Sequence, residues 1–399
     1  MPQFTNDKES EYGKQALAIA KEIGSRSDEV NALMNISADY SDQGQYAEAK
    51  EYLEQALAIN KEVGDLPLET TTLHNFGQLY YLLGQYARAL EYHNQALAIS
   101  NKIGSRLDGA NILTSMALVY DSLEQCPKVI ELNNQALTIQ KEVGLRASEG
   151  ITLRNIGRVY ERLGQYQKAL EPMQQGLAIN REVGDRSSEG VTLSYIGQVY
   201  EKLGEYNKAL DYLQKAQTIS EELGNKRNEA LTLTTIGSTY LKTGKAPTAE
   251  ESLYKAIAIW ENLRPGLTDD DKVSLFEVQT RSYRLLQQSL ISQNKTNKAL
   301  EVAERGRARA FVELLTKRLS PQTETLPKIE HSSLEEIKQI AKQQNATLVQ
   351  YSIIDDDFKF QDKIQKKESQ LYIWVIKPTG EVTFRQTDLR PLWQKQNIL

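Results

Sequence analysis

The sequence predicts an all-α superhelical solenoid of αα-hairpin repeats, followed by a small C-terminal α+β segment. Three observations predict it. One pattern recurs every 40 residues: Leu at 33, 73, 113, 153, 193 and 233, Tyr at 40, 80, 120, 160, 200 and 240, and Gly at 24, 64, 104, 144, 184 and 224. An interval of that length marks two-helix units that bury their apolar faces only by stacking on neighbours. Within the clearest copies, 152-TLRNIGRVYERLGQYQKAL-170 and 192-TLSYIGQVYEKLGEYNKAL-210, apolar residues step by three and four, the period of one helix face. Near the C-terminus that stepping gives way to short runs rich in β-branched and aromatic residues.

Taken in order, the chain opens on 11-EYGKQALAIAKEIG-24. This stretch matches the second helix 51-EYLEQALAINKEVG-64 but has no first helix before it, so the array opens on half a repeat without a polar cap. Residues 145–184 show how a full unit works. Leu153, Ile156, Tyr160 and Leu163 form the apolar face of a first helix, which Gly164-Gln165-Tyr166 breaks. Tyr166, Ala169, Leu170, Met173, Leu177 and Ile179 form the face of the second helix, which ends at Gly184. In five of six copies a residue of N-cap type follows that glycine: Ser25, Asp65, Ser105, Asp185 and Asn225, with Leu145 the exception.

Small residues hold fixed columns. Gly77, Gly157, Gly197 and Gly237, with Ser37 and Ala117, fall in mid-helix, where Gly costs about 1 kcal/mol relative to Ala, so close helix contact is expected there. Ala16, Ala56, Ala96, Ala136, Gly176, Ala216 and Ala256 form the matching column on the second helix. Two places break the pattern. Cys126-Pro127 replaces the usual Tyr, with Cys126 expected to be buried, and Pro172 is expected to kink its helix.

These columns resemble the tetratricopeptide repeat (TPR) over residues 10–263. The period is 40 rather than 34, the early Trp is Leu, and the closing Pro is missing. The longer units resemble those of kinesin light chains and Pins-type polarity adaptors, a resemblance that implies an extended peptide ligand. After the array, which ends at Arg264-Pro265-Gly266, a longer helical hairpin is expected over 264–318, with helices from Asp269 to about Gln293 and from Lys298 to Arg318. Its stretch 299-ALEVAERGRARAFVELL-315 resembles the element that joins TPR arrays to caspase-like CHAT domains, common in bacteria. A polar linker, 319–333, follows. Strands are expected at 347–354, 371–376 and 381–385, the last two joined by a turn at Pro378-Thr379-Gly380. Residues 334–399 thus resemble the opening of a CHAT domain. The family's His–Cys dyad has no counterpart here, because the only cysteine is Cys126 and the histidines are His74, His93 and His331.

The ligand surface implied by the TPR resemblance is the concave groove, lined by first-helix positions outside the core columns. These are Asn31, Met34 and Asn35; His74, Asn75 and Gln78; Asn111, Thr114 and Ser115; Arg154, Asn155, Arg158 and Arg162; and Tyr195, Gln198 and Lys202. Asn can both donate to and accept from a peptide backbone. Arg154, Arg158 and Arg162, four apart, form a basic stripe suited to a carboxylate, or alternatively an ordinary solvated face paired with Glu161. Arg305, Arg307 and Arg309 form a second basic cluster, for which a Glu301–Arg305 pair is the ordinary explanation.

A net charge of −5 disfavours nucleic acid and anionic membrane as partners. No window approaches the roughly 18 apolar residues of a membrane span, and no signal peptide is evident. One cysteine excludes an internal disulfide and points to a cytoplasmic setting. The histidines lie in different units, so no metal site is expected, and no motif implies a cofactor or a catalytic constellation. The expected function is a non-catalytic scaffold for a protein or extended peptide, with oligomeric state left open. The alternative is a truncated or regulatory part of a TPR-CHAT caspase-like protease.

Overall fold

The computed structural model describes residues 3–42, 45–263, 269–306, 333–360 and 363–392, with side chains over 11–41, 45–263, 280–306, 333–356 and 367–392. The expected break at 264–266, the far half of the closing hairpin with Arg307 and Arg309, the linker to residue 332 and His331 lie outside the described residues. Thirteen consecutive helices build a helical repeat solenoid: α1 (Gln3–Ile23), α2 (Arg26–Asp42), α3 (Tyr46–Val63), α4 (Leu66–Leu82), α5 (Tyr86–Ile103), α6 (Arg106–Ser122), α7 (Cys126–Val143), α8 (Arg146–Arg162), α9 (Tyr166–Glu182), α10 (Arg186–Lys202), α11 (Tyr206–Glu222), α12 (Lys226–Lys242) and α13 (Ala246–Leu263). A hairpin of α14 (Asp269–Ser292) and α15 (296–306) follows, then α16 (Leu334–Gln343) and strands β1 (Leu348–Phe360), β2 (Lys363–Ile376) and β3 (Val382–Asp388). The chain divides into two compact units, Met1–Glu161 with Gln167–Thr192, and Arg162–Tyr166 with Leu193–Leu399.

In the first unit the repeat glycines end helices as their spacing predicts. Gly64 and Gly104 sit in the left-handed region at φ 74° and 73°, and the Gly64 amide closes on the Asn60 carbonyl at 2.7 Å. The N-cap expectation holds for the acids and not for the serines. Asp65 Oδ1 accepts from the Leu68 amide at 3.0 Å and Asp185 Oδ1 from the Ser188 amide at 2.9 Å. The Ser25 and Ser105 hydroxyls instead donate at 2.5 Å to Asp28 and Asp108, three residues on, because a carboxylate accepts more strongly than a cap geometry rewards. Pro172 lies inside α9, which still runs unbroken from Tyr166 to Glu182.

The small columns are contact points. A Cβ built on Gly77 would lie 2.4 Å from the His93 ring, and one on Gly157 would lie 2.4 Å from Met173. In the second unit Gly197 meets Leu213 and Gly237 meets Leu253 in the same way, at 2.6 and 2.5 Å. Each of these four first helices therefore carries a notch, and a side chain 16 residues later on the second helix fills it. Tyr80 and Tyr200 are buried and stack on Tyr92 and Tyr212 at centroid distances of 5.2 and 5.4 Å.

The second unit holds an element that a fixed period hides. The turn between α14 and α15 repeats the closing bonds of the turn between α10 and α11. The Lys295 amide closes on the Leu290 carbonyl at 2.8 Å as Glu205 does on Tyr200 at 2.9 Å, and Asn294 takes φ 59° where Gly204 takes 77°. The motif 297-NKAL-300 repeats 207-NKAL-210, displaced by 90 residues rather than 80. Arg305 does not pair with Glu301. Its Nε donates to Glu261 Oε1 at 2.7 Å, whereas Glu301 accepts from the Leu334 amide at 3.0 Å and so helps Ser333 cap α16. The sheet is antiparallel in the order β1-β2-β3, and β1 and β2 run longer than their apolar runs suggest. Lys377 to Glu381 form the β2–β3 turn, with Gly380 at φ 85°. One face of the sheet, with Ile354, Tyr372, Trp374 and Ile376, shares a core with Leu286, Leu290, Leu300, Ile337 and Ala341, and Trp374 Nε1 donates to the Thr296 carbonyl at 3.0 Å.

Candidate functional site

The notch and the helix period together decide which first-helix side chains stay outside the hairpin core. Leu33, Ile36 and Ser37 in α2, with their counterparts in the other first helices, point into the hairpin, leaving the positions between them for the opposite face. In the first unit Asn31, Asn35, Gln78 and Asn111 are exposed, and His74, Asn75, Thr114, Ser115, Arg154, Asn155 and Arg158 are half-buried. Met34 departs from expectation: it is buried, and its Sδ accepts from the Thr72 hydroxyl at 3.3 Å. Its apolar chain is drawn between α2 and α4, so it is packing rather than ligand surface. The Thr114 hydroxyl is already donated to the Ala110 carbonyl at 2.9 Å.

The two array histidines lie together, although sequence distance suggests otherwise. His74 on α4 and His93 on α5 approach to 5.1 Å between ring centroids, because Gly77 lets the His93 ring enter the notch one turn from His74. Gln78 Nε2 lies 3.0 Å from His74 Nε2, while Nδ1 of each ring is buried without a partner. Burial pushes the His93 pKa down to about 3, helped by the neighbouring His74, and burial also lowers His74 against the opposing pull of Asp108. Both rings are neutral near pH 7, so positive charge on this face comes from Arg154 and Arg158, one turn apart on α8.

In the second unit Arg162, Tyr195, Gln198 and Lys202 are half-buried. Beside Lys202 lies a group the column reasoning missed. Glu201 is buried, its Oε1 accepting from the Ser238 hydroxyl at 2.6 Å and facing Lys242 Nζ at 3.1 Å. The signal was an acid in a position adjacent to the Tyr column, which a reading by core columns passes over. Among the described residues no three His, Cys, Asp or Glu side chains group as a metal site, Cys126 is buried, and no helix is long and apolar enough to cross a membrane.

The family model of the tetratricopeptide repeat matches residues 10–62, 28–102, 68–142, 110–182 and 188–262. The chain belongs to the tetratricopeptide repeat family. Tetratricopeptide repeat protein 28 of Homo sapiens is 34% identical over 121 residues, 30% of this chain and 4% of that protein, so the match spans a small part of that relative. The TPR fold recurs in a solved signal-transduction ATPase with a tetratricopeptide repeat sensor from Pyrococcus horikoshii, 18% identical, covering 73% of this chain and 44% of that one at a TM-score of 0.60. A putative kinesin light chain of Podosopora anserina with TPR-like repeats is 24% identical over 49% of this chain and 96% of that one, at a TM-score of 0.43.

Proposed function

We propose that this TPR array is a non-catalytic scaffold that binds an extended protein segment along its first helices, in their concave groove, with Arg154 and Arg158 anchoring an acidic side chain or a C-terminal carboxylate. The observation that carries the reading is the division of labour on each first helix: apolar and small columns are buried in the hairpin, while amide and guanidinium groups occupy the face outside them. Asn35, Asn75, Asn111 and Asn155 supply both donors and acceptors to a peptide backbone, with His74 and Gln78 beside them in the first unit, and Arg162, Tyr195, Gln198 and Lys202 offer polar groups on the first helices of the second unit. Because the histidines are neutral, the anion must be met by arginine, whose planar fork suits a carboxylate.

Arg154→Glu combined with Arg158→Glu tests this. Short acidic peptides with a free C-terminus should lose at least about tenfold in affinity, about 1.4 kcal/mol, while helical circular dichroism is unchanged. Binding to the unaltered chain should also weaken with added salt. Unchanged affinity in the folded double variant would assign the ligand to another surface.

This reading takes 1–263 as the array, 264–318 as its closing hairpin, 319–333 as a linker and 334–399 as an incomplete CHAT-like segment in a bacterial cytoplasmic protein. The second reading is a truncated or regulatory part of a CHAT-type caspase-like protease. It is supported by the core that the C-terminal sheet shares with α14 and α15, the hairpin that resembles the TPR–CHAT joining element.

A further inference from the structure

Each first helix ends on the same column of the repeat, and the side chain in that column changes in kind along the chain. It is Asp42, Leu82 and Ser122 in α2, α4 and α6, and Arg162, Lys202 and Lys242 in α8, α10 and α12. A cation in the last turn of a helix is favoured by the helix dipole. Yet α2, α4 and α6 close with no basic residue in their last turns, so ending a helix here does not require one. All three cations fall in the second unit, in a chain whose net charge is −5.

The second unit also lacks the amide ladder. The column that holds Asn35, Asn75 and Asn155 in the first unit holds Tyr195 in α10 and Thr235 in α12. Thr234, Thr235, Ser238 and Thr239 are buried, with the Thr234 hydroxyl 2.8 Å from that of Ser282, so the middle turns of α12 are closed to a ligand. Lys242, on the same helix face one turn beyond Ser238, keeps a side chain that is 40% exposed. Glu201 fixes this ammonium. The carboxylate is 0% exposed, and its Oε1 accepts from the Ser238 hydroxyl at 2.6 Å and faces Lys242 Nζ at 3.1 Å. A buried carboxylate is costly unless it is paired and hydrogen-bonded, so the pair holds Lys242 between α10 and α12 with its outer side open.

Neighbouring packed helices lie roughly 8–10 Å apart. A polyproline II segment has about three residues per turn and rises roughly 3.1 Å per residue, so every third side chain points the same way at a spacing of about 9 Å. We propose that Arg162, Lys202 and Lys242 form an interaction surface for an extended acidic segment of a protein partner, in polyproline II conformation with Asp or Glu at every third position, and that Glu201 is the positioning residue for Lys242. The inference rests on the scaffold reading above and gives the second unit its own ligand chemistry: carboxylates met by a column of cations, in place of a backbone met by asparagines. The net charge of −5 favours a short acidic stretch over nucleic acid as the anion.

The test uses the full chain and two fluorescent, C-terminally amidated peptides of one composition: three Glu-Pro-Ser triplets, and the same residues with the glutamates consecutive. Anisotropy should show the triplet peptide binding at least about tenfold tighter. Lys202→Gln should remove most of that preference, and so should Lys242→Gln combined with Glu201→Gln, a pair that strands no buried charge. Glu201→Gln alone keeps every cation and makes the site more positive, so a bystander acid predicts tighter binding of both peptides. A positioning residue predicts instead that the triplet preference falls. Circular dichroism and thermal melting check that each variant folds. Absence of saturable binding, equal affinity for the two peptides, or a preference untouched in both lysine variants would overturn the proposal. Binding of a thymidine oligonucleotide that the lysine variants abolish would also overturn it, assigning the column to nucleic acid. Equal affinity for the two peptides, with both lost in the Arg154→Glu, Arg158→Glu variant, would overturn it while the groove anchor stands. A triplet preference that persists in that variant, with affinity unchanged, would sustain it while removing that anchor.

Discussion

In hairpin α4–α5 the side chain that fills the notch of the first helix is His93; in hairpin α12–α13 it is Leu253. The backbones are alike and the columns are in register, yet the cores differ in kind. His93 is buried with Nδ1 unsatisfied, and Asn133, in the same column of the next hairpin, is buried with Oδ1 unsatisfied. Leu213 and Leu253 fill their notches with hydrocarbon alone. A buried polar atom without a partner costs about 1–3 kcal/mol, so the repeat backbone tolerates a penalty in one place that it avoids in another. In an array whose stability is a sum over neighbours, that makes α4–α7 the weaker stretch. The same hairpin presents His74, Asn75 and Gln78 to the candidate ligand face, and binding surfaces are commonly drawn from the less stable parts of a fold.

Three substitutions or conditions sharpen the contrast. The largest effect is expected at the hydrocarbon notch: Leu213→Ala should destabilise by about 2–5 kcal/mol, because Gly197 offers nothing to fill the space. A denaturant midpoint unmoved by this change would show that the notch is not a packing site. Next, His93→Leu installs the residue found at 53, 213 and 253 and should stabilise the chain by about 1–2 kcal/mol at pH 7 by removing the orphaned nitrogen. A loss of stability instead would mean that the ring makes a contact worth more than its desolvation.

The smallest effect is the pH dependence. With its pKa near 3 in the folded chain, against about 6.5 unfolded, His93 is neutral in both states above pH 6.5 and contributes no slope there. Below pH 6.5 the unfolded chain binds a proton that the folded chain refuses, so stability falls by about 1.4 kcal/mol per pH unit. Between pH 6.5 and 5, above most of the carboxylate titration, the loss should reach about 2 kcal/mol in the unaltered chain. Chemical unfolding of His93→Leu over the same range should show a shallower slope.

Much of the fold could be read from spacing. The Leu, small and Tyr columns and the glycines at helix ends all follow from a fixed period and from φ values that glycine adopts easily. What escaped the sequence was whatever broke the count or depended on tertiary distance. The hairpin α14–α15 repeats the turn of the array, but a displacement of 90 residues and Asn294 in place of Gly hide it from a period of 40. Arg305 chose Glu261 over the helical neighbour Glu301 because α13 and α15 bring the former closer, and spacing along one helix cannot show that. The candidate face was legible as a set of positions. Met34 and Glu201 were not, since an apolar or an acidic side chain one position from a core column goes inward or outward according to what the next helix offers, and His93 was not, since a ring in a column otherwise held mostly by Leu enters the notch only because Gly77 leaves it room.

Hydrogen exchange on the full chain tests most directly whether notch chemistry grades the stability of the array. Amides of α4 and α5 should show lower protection factors than those of α12 and α13 at pH 7. The gap should widen at pH 5 and narrow in His93→Leu. Equal protection in the two hairpins, or a gap that His93→Leu leaves untouched, would contradict the account.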